Sequence, residues 1–156
     1  MDDYVQRHRP PRDASLTEIW AFACSLLGSG HEESWADMFT EDGVMEIPPA
    51  PKGFPRRFEG REAIRRQMAP VQRKARQLHP GRRGYLYIHE TKDPNVLICE
   101  FETTRIEPST GEEYPMPYVH VVHFRDGENS LLRDYAPLHL APPSSSEVLA
   151  ALGRSD

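Results

Sequence analysis

The chain has 156 residues, a formal charge of −5, 38% hydrophobic residues and 28% charged residues. This composition supplies enough apolar side chains for one domain with a core, and it excludes an intrinsically disordered chain. The negative charge provides no general attraction for nucleic acid, and no apolar run is long enough to span a bilayer. We therefore expect a cytoplasmic protein with no nucleic-acid partner and no membrane partner.

The first part of the chain predicts a flexible arm followed by two helices. Residues 1–13 are polar and contain two adjacent prolines, so we expect a flexible N-terminal arm. Ser15 then begins a helix with Glu18 in the capping-box position, and a Gly-Ser-Gly sequence ends it. A second, short helix is predicted over residues 31–39.

The middle of the chain predicts a turn, a strand and a third helix. Residues 40–43, with the sequence Thr-Glu-Asp-Gly, are typical of a turn, and residues 44–47 form a short strand that two prolines stop. A proline-rich loop follows. The third helix is predicted over residues 61–72, with an apolar stripe and a basic face.

The remainder of the chain is β-rich, with strands predicted over 84–91, 96–105, 118–125 and 131–137. A Pro/Ser-rich tail, 141–156, contains one possible short helix over 147–152. Helices early and antiparallel strands late indicate an α+β fold. We expect one domain over residues 14–140, between the arm and the tail.

His120 and Asp134 are the strongest candidates for chemistry. They lie on two consecutive strands joined by the turn Asp126-Gly127-Glu128, and Asp-Gly between apolar runs is a strong hairpin signal. A three-residue loop with a glycine bulge places His120 directly opposite Asp134 on one face of the sheet. A one-residue slip would send the two side chains to opposite faces. An imidazole held against a carboxylate is suited to acid/base catalysis.

Several sequence motifs resemble one fold family. FTEDGVMEI and FEGREAIRRQM resemble segments of the nuclear transport factor 2 fold, a cone of three helices packed on a curved, mostly antiparallel sheet. HETKDPNVLICE and PYVHVVHFRDGENSLLRDYAP are similar to the SnoaL-like group, especially the phenazine-biosynthesis A/B proteins. The resemblance implies that Asp134 and His120 carry the acid/base roles. It also implies a homodimer through the outer face of the sheet.

In the phenazine A/B proteins the corresponding acid/base carboxylate is a glutamate, so the resemblance extends to the fold and the dyad, and not to the substrate. Candidate substrate-binding residues in the cone are Trp20, Trp35, Phe39, Asp42, Gln67, Met68 and Tyr114. Aromatic residues at these spacings also suit a core, and Asp42 also suits a turn aspartate that bonds backbone amides. Cys24 and Cys99 are predicted to be buried, reduced thiols.

The function we expect is that of a cofactor-free acid/base enzyme of secondary metabolism, acting as a cyclase, isomerase or condensation catalyst. Its substrate would be a small cyclic or polyketide-like molecule. No metal-binding motif, phosphate-binding loop or nucleophile elbow appears in the sequence. One alternative is an epoxide or ester hydrolase that uses Asp134 with Arg105 or Arg133 around a water. Another is a non-catalytic binding module in which Asp134 forms a structural ion pair with one of those arginines.

Overall fold

The computed structural model describes residues 3–50, 52–53, 55–77, 83–107 and 109–137. These residues form an α+β domain in which helices pack on one six-stranded sheet. The elements in chain order are α1 (Asp3–His8), α2 (Leu16–Leu26), α3 (Glu32–Trp35) with a 3-10 turn (Ala36–Met38), β1 (Phe39–Glu46), β2 (Arg57–Glu59), α4 (Arg61–Gln77), β3 (Arg83–Glu90), β4 (Val96–Ile106), β5 (Glu113–Arg125) and β6 (Glu128–Asp134).

The strands follow the order β2-β1-β6-β5-β4-β3. All neighbouring strands are antiparallel except β1 and β6, which are parallel. The predicted α+β class and the mostly antiparallel, curved sheet are therefore confirmed. The long β3–β4–β5–β6 meander follows from consecutive hairpins, because antiparallel strands need only short connections.

The face of the sheet that the helices cover is called the inner face. Its residues alternate along each strand and belong to the core: Leu97, Cys99 and Phe101 on β4, Val122 and Phe124 on β5, and Leu132 on β6. Helices α2 and α4 contribute Ile19, Trp20 and Ile64 to the same core. The other side, called the outer face, carries the intervening residues of each strand.

Helix α2 begins as the sequence predicts. The Ser15 hydroxyl accepts a hydrogen bond from the Glu18 N–H at 3.2 Å, and Glu18 Oε2 accepts one from the Ser15 N–H at 3.1 Å. This reciprocal capping box satisfies two backbone donors that the first turn leaves without partners. The hydrogen bond from Ser15 also holds the pKa of the Glu18 carboxyl below its usual value. The cap fixes where α2 starts, and hence which of its residues face the sheet.

The N-terminal segment differs from the predicted flexible arm. Residues 3–8 form α1, and Val5 is fully buried in the core. Arg9 contacts Glu128 at 3.3 Å, and the Arg12 carbonyl lies against Gly127. The sequence prediction relied on the polar composition and the prolines of this segment. It did not foresee that Val5, Arg9 and Arg12 connect this segment to the rest of the domain.

The β5–β6 turn reaches the predicted register by a different geometry. Asp126 and Gly127 have φ angles of 52° and 73°, which defines a two-residue type I′ turn, and Arg125 pairs with Glu128. The register then shifts between His123 and Phe124, so one extra residue enters β6. The bulge lies in the strand and not at the glycine, yet the net register is the predicted one.

Strand β5 starts at Glu113, five residues earlier than predicted, despite Pro115 and Pro117. The Val119 carbonyl accepts a hydrogen bond from the Tyr135 N–H at 2.9 Å, so the odd-numbered residues of β5 direct their backbone groups toward β6. The two prolines share this parity. Their missing N–H groups are therefore on the side away from β4, and the β4–β5 ladder continues to Ile106 and Glu113.

Other boundaries also differ from the sequence predictions. The predicted turn at 40–43 lies inside β1 as an irregularity in its pairing with β6, and α4 runs five residues beyond the predicted 61–72. The structure adds β2 to the predicted elements. The tail at 141–156 and its short helix lie outside the described residues. Within the described ranges, no helix has the length and apolar character needed to cross a membrane.

Candidate active site

His120 and Asp134 are directly opposite each other on β5 and β6. His120 Nε2 lies 3.2 Å from Asp134 Oδ1, and both side chains are on the inner face. Their side chains are only 4% and 12% exposed, so little water screens the contact. The contact lacks the alignment of a hydrogen bond, and His120 Nδ1 and Asp134 Oδ1 have no hydrogen-bond partner among the described residues. The predicted juxtaposition is confirmed, with two polar atoms left for a ligand to satisfy.

Aromatic rings surround the imidazole of His120. The Trp20 ring approaches it edge-on from α2 with centroids 5.5 Å apart, and the Phe101 ring approaches from β4 at 4.8 Å. Phe101 also stacks on Tyr118 at 4.9 Å with nearly parallel rings. These contacts fix the imidazole plane, so His120 is held in position relative to Asp134.

Cys99 extends the pair into a row across three strands. Cys99 is directly opposite His120 on β4 and is fully buried. A hydrogen bond from the Cys24 side chain, with a smaller contribution from Trp20 and from the charge of His120, lowers the pKa of Cys99 to about 7, although burial opposes this. The row Cys99, His120 and Asp134 therefore places three proton-exchanging groups side by side.

The alternative reading of Asp134 as the partner of an arginine is not what the structure shows. Arg133 lies on the outer face, where its Nε donates to Glu46 Oε2 at 2.9 Å. That hydrogen bond, helped by Arg57, holds the pKa of the Glu46 carboxyl below its usual value despite some desolvation. Arg105 instead donates to the Tyr118 hydroxyl at 2.9 Å. Asp134 therefore has an imidazole, and not a guanidinium, as its close partner.

The predicted substrate-binding residues divide between the dyad and other parts of the molecule. Trp20 contacts His120. Trp35 and Phe39 are buried and pack on each other, with ring centroids 5.0 Å apart. Asp42 is an exposed residue of β1, where its contact with Arg125 lowers the pKa of its carboxyl. The strand continues through the expected turn and points the Asp42 side chain to solvent, so its assignment to the substrate pocket stays a prediction that these contacts do not favour.

Three further predicted residues occupy different positions. Gln67 and Met68 are buried on α4, and Met68 belongs to the core. Tyr114 lies on β5 opposite Arg105, at the end of the β4–β5 ribbon. The basic face of α4 also has a structural role, since Arg61 contacts Glu128 at 3.4 Å and Arg65 contacts Asp37 at 2.6 Å.

Sequence reasoning did not assign Cys99, Phe101 and Tyr118 to the site. The register of the β4–β5 hairpin is the signal that would have identified them, because it places Cys99 opposite His120 and Phe101 opposite Tyr118. That register was hidden by the two prolines at the start of β5. Among the described residues, no group of three or more His, Cys, Asp and Glu side chains is placed to hold a metal ion.

The fold and the site define a cone-shaped α+β domain with an imidazole–carboxylate pair on the inner face of its sheet. The chain belongs to the SnoaL-like domain family, whose model matches residues 21–130. It is 35% identical over 122 residues to an uncharacterized PhzA/B-like protein of Pseudomonas aeruginosa, a match that covers 76% of this chain and 81% of that protein.

Two solved structures show the same architecture. A provisionally assigned isomerase of Bacillus subtilis has a TM-score of 0.69 and 25% identity, with 91% of this chain and 97% of that chain covered. A provisionally assigned polyketide cyclase of Xanthomonas campestris has a TM-score of 0.62 and 14% identity, with 83% of this chain and 95% of that chain covered. The second likeness concerns the fold alone.

Proposed function

We propose that the protein is an acid/base enzyme that needs no cofactor, and that it catalyses a cyclisation, an isomerisation or a condensation. Its substrate is a small cyclic or polyketide-like molecule of secondary metabolism. The observation that carries the proposal is the nearly buried contact of 3.2 Å between His120 and Asp134. The membership in the SnoaL-like family and the similarity to a provisionally assigned isomerase support it.

In the proposed mechanism, Asp134 removes a proton from a carbon next to a carbonyl group or returns one to it. The Nε2 atom of His120 lies against the carboxylate, and its Nδ1 has no hydrogen-bond partner among the described residues. In this mechanism the ring carries a proton on each nitrogen when the enolate forms, so that Nε2–H faces Asp134 and Nδ1–H donates to the enolate oxygen. The aromatic rings around His120 exclude water from the reacting groups. Acid/base assistance of this kind accelerates reactions by about a hundredfold to ten-thousandfold.

A hydrolase on the same fold is less favoured by the contacts. Such an enzyme would use a second carboxylate and an arginine around an attacking water next to Asp134. Arg133 lies on the outer face with Glu46, and Arg105 is bonded to Tyr118. The close partner of Asp134 is an imidazole, which fits proton transfer better than the positioning of a water between two acids.

Proton transfer can be tested before the natural substrate is known. The α-proton of a small cyclic ketone such as 2-tetralone exchanges in D2O, and proton NMR follows the exchange without added cofactor. We expect the wild-type protein to accelerate the exchange and Asp134→Asn to lower the rate by at least about a hundredfold, because an amide does not exchange this proton.

The matched control is a second imidazole–carboxylate pair. His89 Nε2 lies 3.0 Å from Glu100 Oε1 on the outer face, and both side chains are about half exposed. Glu100→Gln should leave the exchange rate unchanged. A folded Asp134→Asn variant with the full rate, or a wild-type rate equal to that of buffer, would contradict the proposed function.

A further inference from the structure

Arg105 and Tyr118 form a polar pair on the inner face, near the dyad. Arg105 Nη2 donates to the Tyr118 hydroxyl at 2.9 Å, and both side chains are half-buried. Tyr118 stacks on Phe101, which also contacts His120. The phenol ring is therefore held against Phe101, and its hydroxyl presents a positioned partner to the guanidinium.

The guanidinium of Arg105 differs from other partly buried arginines in what surrounds it. Arg9 and Arg61 both contact Glu128, and Arg65 contacts Asp37. Within the described part of the chain, no carboxylate lies at ion-pair distance from Arg105, and its close partner is a neutral hydroxyl. A partly desolvated cation without a counterion is unfavourable, so this position is suited to an anionic ligand.

The surrounding polar atoms support a ligand at this place. Tyr118 and His120 are two residues apart on one face of β5, which places their Cα atoms about 7 Å apart. Thr103 Oγ1, on the strand that carries Arg105, is buried without a hydrogen-bond partner among the described residues, as is His120 Nδ1. A ligand that reaches from Arg105 to His120 would satisfy these groups together.

We propose that Arg105 and Tyr118 are specificity-determining residues that bind a carboxylate group of the substrate. The guanidinium pairs with the carboxylate, and the Tyr118 hydroxyl donates a hydrogen bond to one of its oxygens. The reacting carbon of the substrate then lies near His120 and Asp134, and the carboxylate occupies the subsite formed by Arg105 and Tyr118. The statement that the bound carboxylate belongs to the substrate rests on the proposed function.

The subsite is tested with benzoate and with benzamide, which has nearly the same shape and no charge. Binding to the intact wild-type chain is measured by ligand-observed NMR at pH 7.5. We expect benzoate to bind at least about tenfold more tightly than benzamide. Arg105→Gln should weaken benzoate binding by about tenfold to a hundredfold, the effect of losing a charged hydrogen bond, and should remove the preference over benzamide.

Two further variants separate binding from folding. Tyr118→Phe should weaken benzoate binding by a smaller factor, about fivefold, since one neutral donor is lost. Arg105→Lys keeps the charge and should retain part of the binding. Arg133→Gln is the matched control, because Arg133 belongs to the outer face, and it should bind benzoate as the wild type does. Melting temperatures establish that each variant is folded.

The outcomes distinguish the subsite from the proposed function. Benzoate binding that depends on Arg105, in a wild-type protein without proton exchange, would support the subsite and overturn the enzyme. Equal affinity for benzoate and benzamide, unchanged benzoate binding in Arg105→Gln, or no benzoate binding by the wild type would each overturn the subsite, whatever the exchange assay shows.

Discussion

Arg133 and Asp134 are adjacent in sequence, yet their side chains lie on opposite faces of the sheet. Arg133 donates to Glu46 on the outer face, whereas Asp134 contacts His120 on the inner face. The alternation of side chains along β6 thus separates a structural ion pair from the candidate catalytic pair. Among the described residues, the close partner of Asp134 is therefore an imidazole and not a guanidinium.

Replacement of the imidazole should be less damaging than replacement of the carboxylate. His120→Gln keeps a side chain that can donate a hydrogen bond toward Asp134, so we expect the exchange rate to fall by about tenfold, compared with at least about a hundredfold for Asp134→Asn. Single-turnover exchange of 2-tetralone by both variants gives the comparison. His89→Gln, on the outer face, is the control. A larger loss in His120→Gln than in Asp134→Asn would reverse the assigned roles.

The lowered pKa of Cys99 predicts a pH-dependent stability. With a pKa of about 7 in the folded protein against 9.0 as the ordinary value, the folded state binds fewer protons than the unfolded state between these values. Stability therefore rises with pH from 7 to 9 and is lost as the pH falls through 7. Between pH 6.5 and 8.5 we expect the free energy of unfolding to increase by about 1–2 kcal/mol from this thiol.

Urea denaturation of the wild type and of Cys99→Ala at the two pH values measures this increase. The difference between the proteins isolates the thiol from other titrating groups. Cys24→Ala removes the largest cause of the lowered pKa and should shrink the increase. Parallel pH dependence in the wild type and Cys99→Ala would mean that Cys99 stays protonated throughout.

Glu128 should contribute strongly to stability because three arginines share its carboxylate. Arg9, Arg12 and Arg61 lie 3.3, 3.5 and 3.4 Å from Glu128 Oε1, and the glutamate side chain is 13% exposed. Glu128→Gln leaves these positive charges together without a counterion. We expect a loss of about 2 kcal/mol in the free energy of unfolding, measured by urea denaturation. Glu59→Gln, at an exposed contact with Arg57, should cost less than about 1 kcal/mol.

The outer face should join two copies of the chain. Tyr87, Val119 and Tyr135 are 59%, 37% and 42% exposed and form a row across the sheet, with Glu100 between the first two. Large exposed apolar side chains close together on one face of a sheet are typical of an interface. Light scattering at micromolar concentration should give a dimer mass, and Tyr87→Glu should shift it toward the monomer. Tyr4→Glu, on α1, is the control. A monomer mass for the wild type would contradict this prediction.

The sequence predicted the pairing of His120 with Asp134 better than it predicted the strand boundaries. The Asp-Gly turn and the alternation of apolar residues were sufficient to predict that His120 pairs with Asp134. A shift of the register by one residue would move the apolar side chains of the strand from the buried face to the outer face, so such a shift is excluded. The contact between Arg105 and Tyr118 could not be predicted from the sequence, because it depends on how the long arginine side chain extends along strands β4 and β5. The burial of Val5 could not be predicted either, because it depends on contacts with residues distant in the sequence and the neighbouring residues give no indication of it.

The parallel pairing of β1 with β6 has a consequence for how the chain folds. Val44 pairs with Leu131, 87 positions away, whereas the hairpin of β5 and β6 closes through two residues. Closing the longer loop costs about 2–3 kcal/mol more in chain entropy, so the hairpin is expected to form early and the docking of β1 late. His120 and Asp134 would then meet before the rest of the sheet is complete, and the slow step of folding would assemble their surroundings around them.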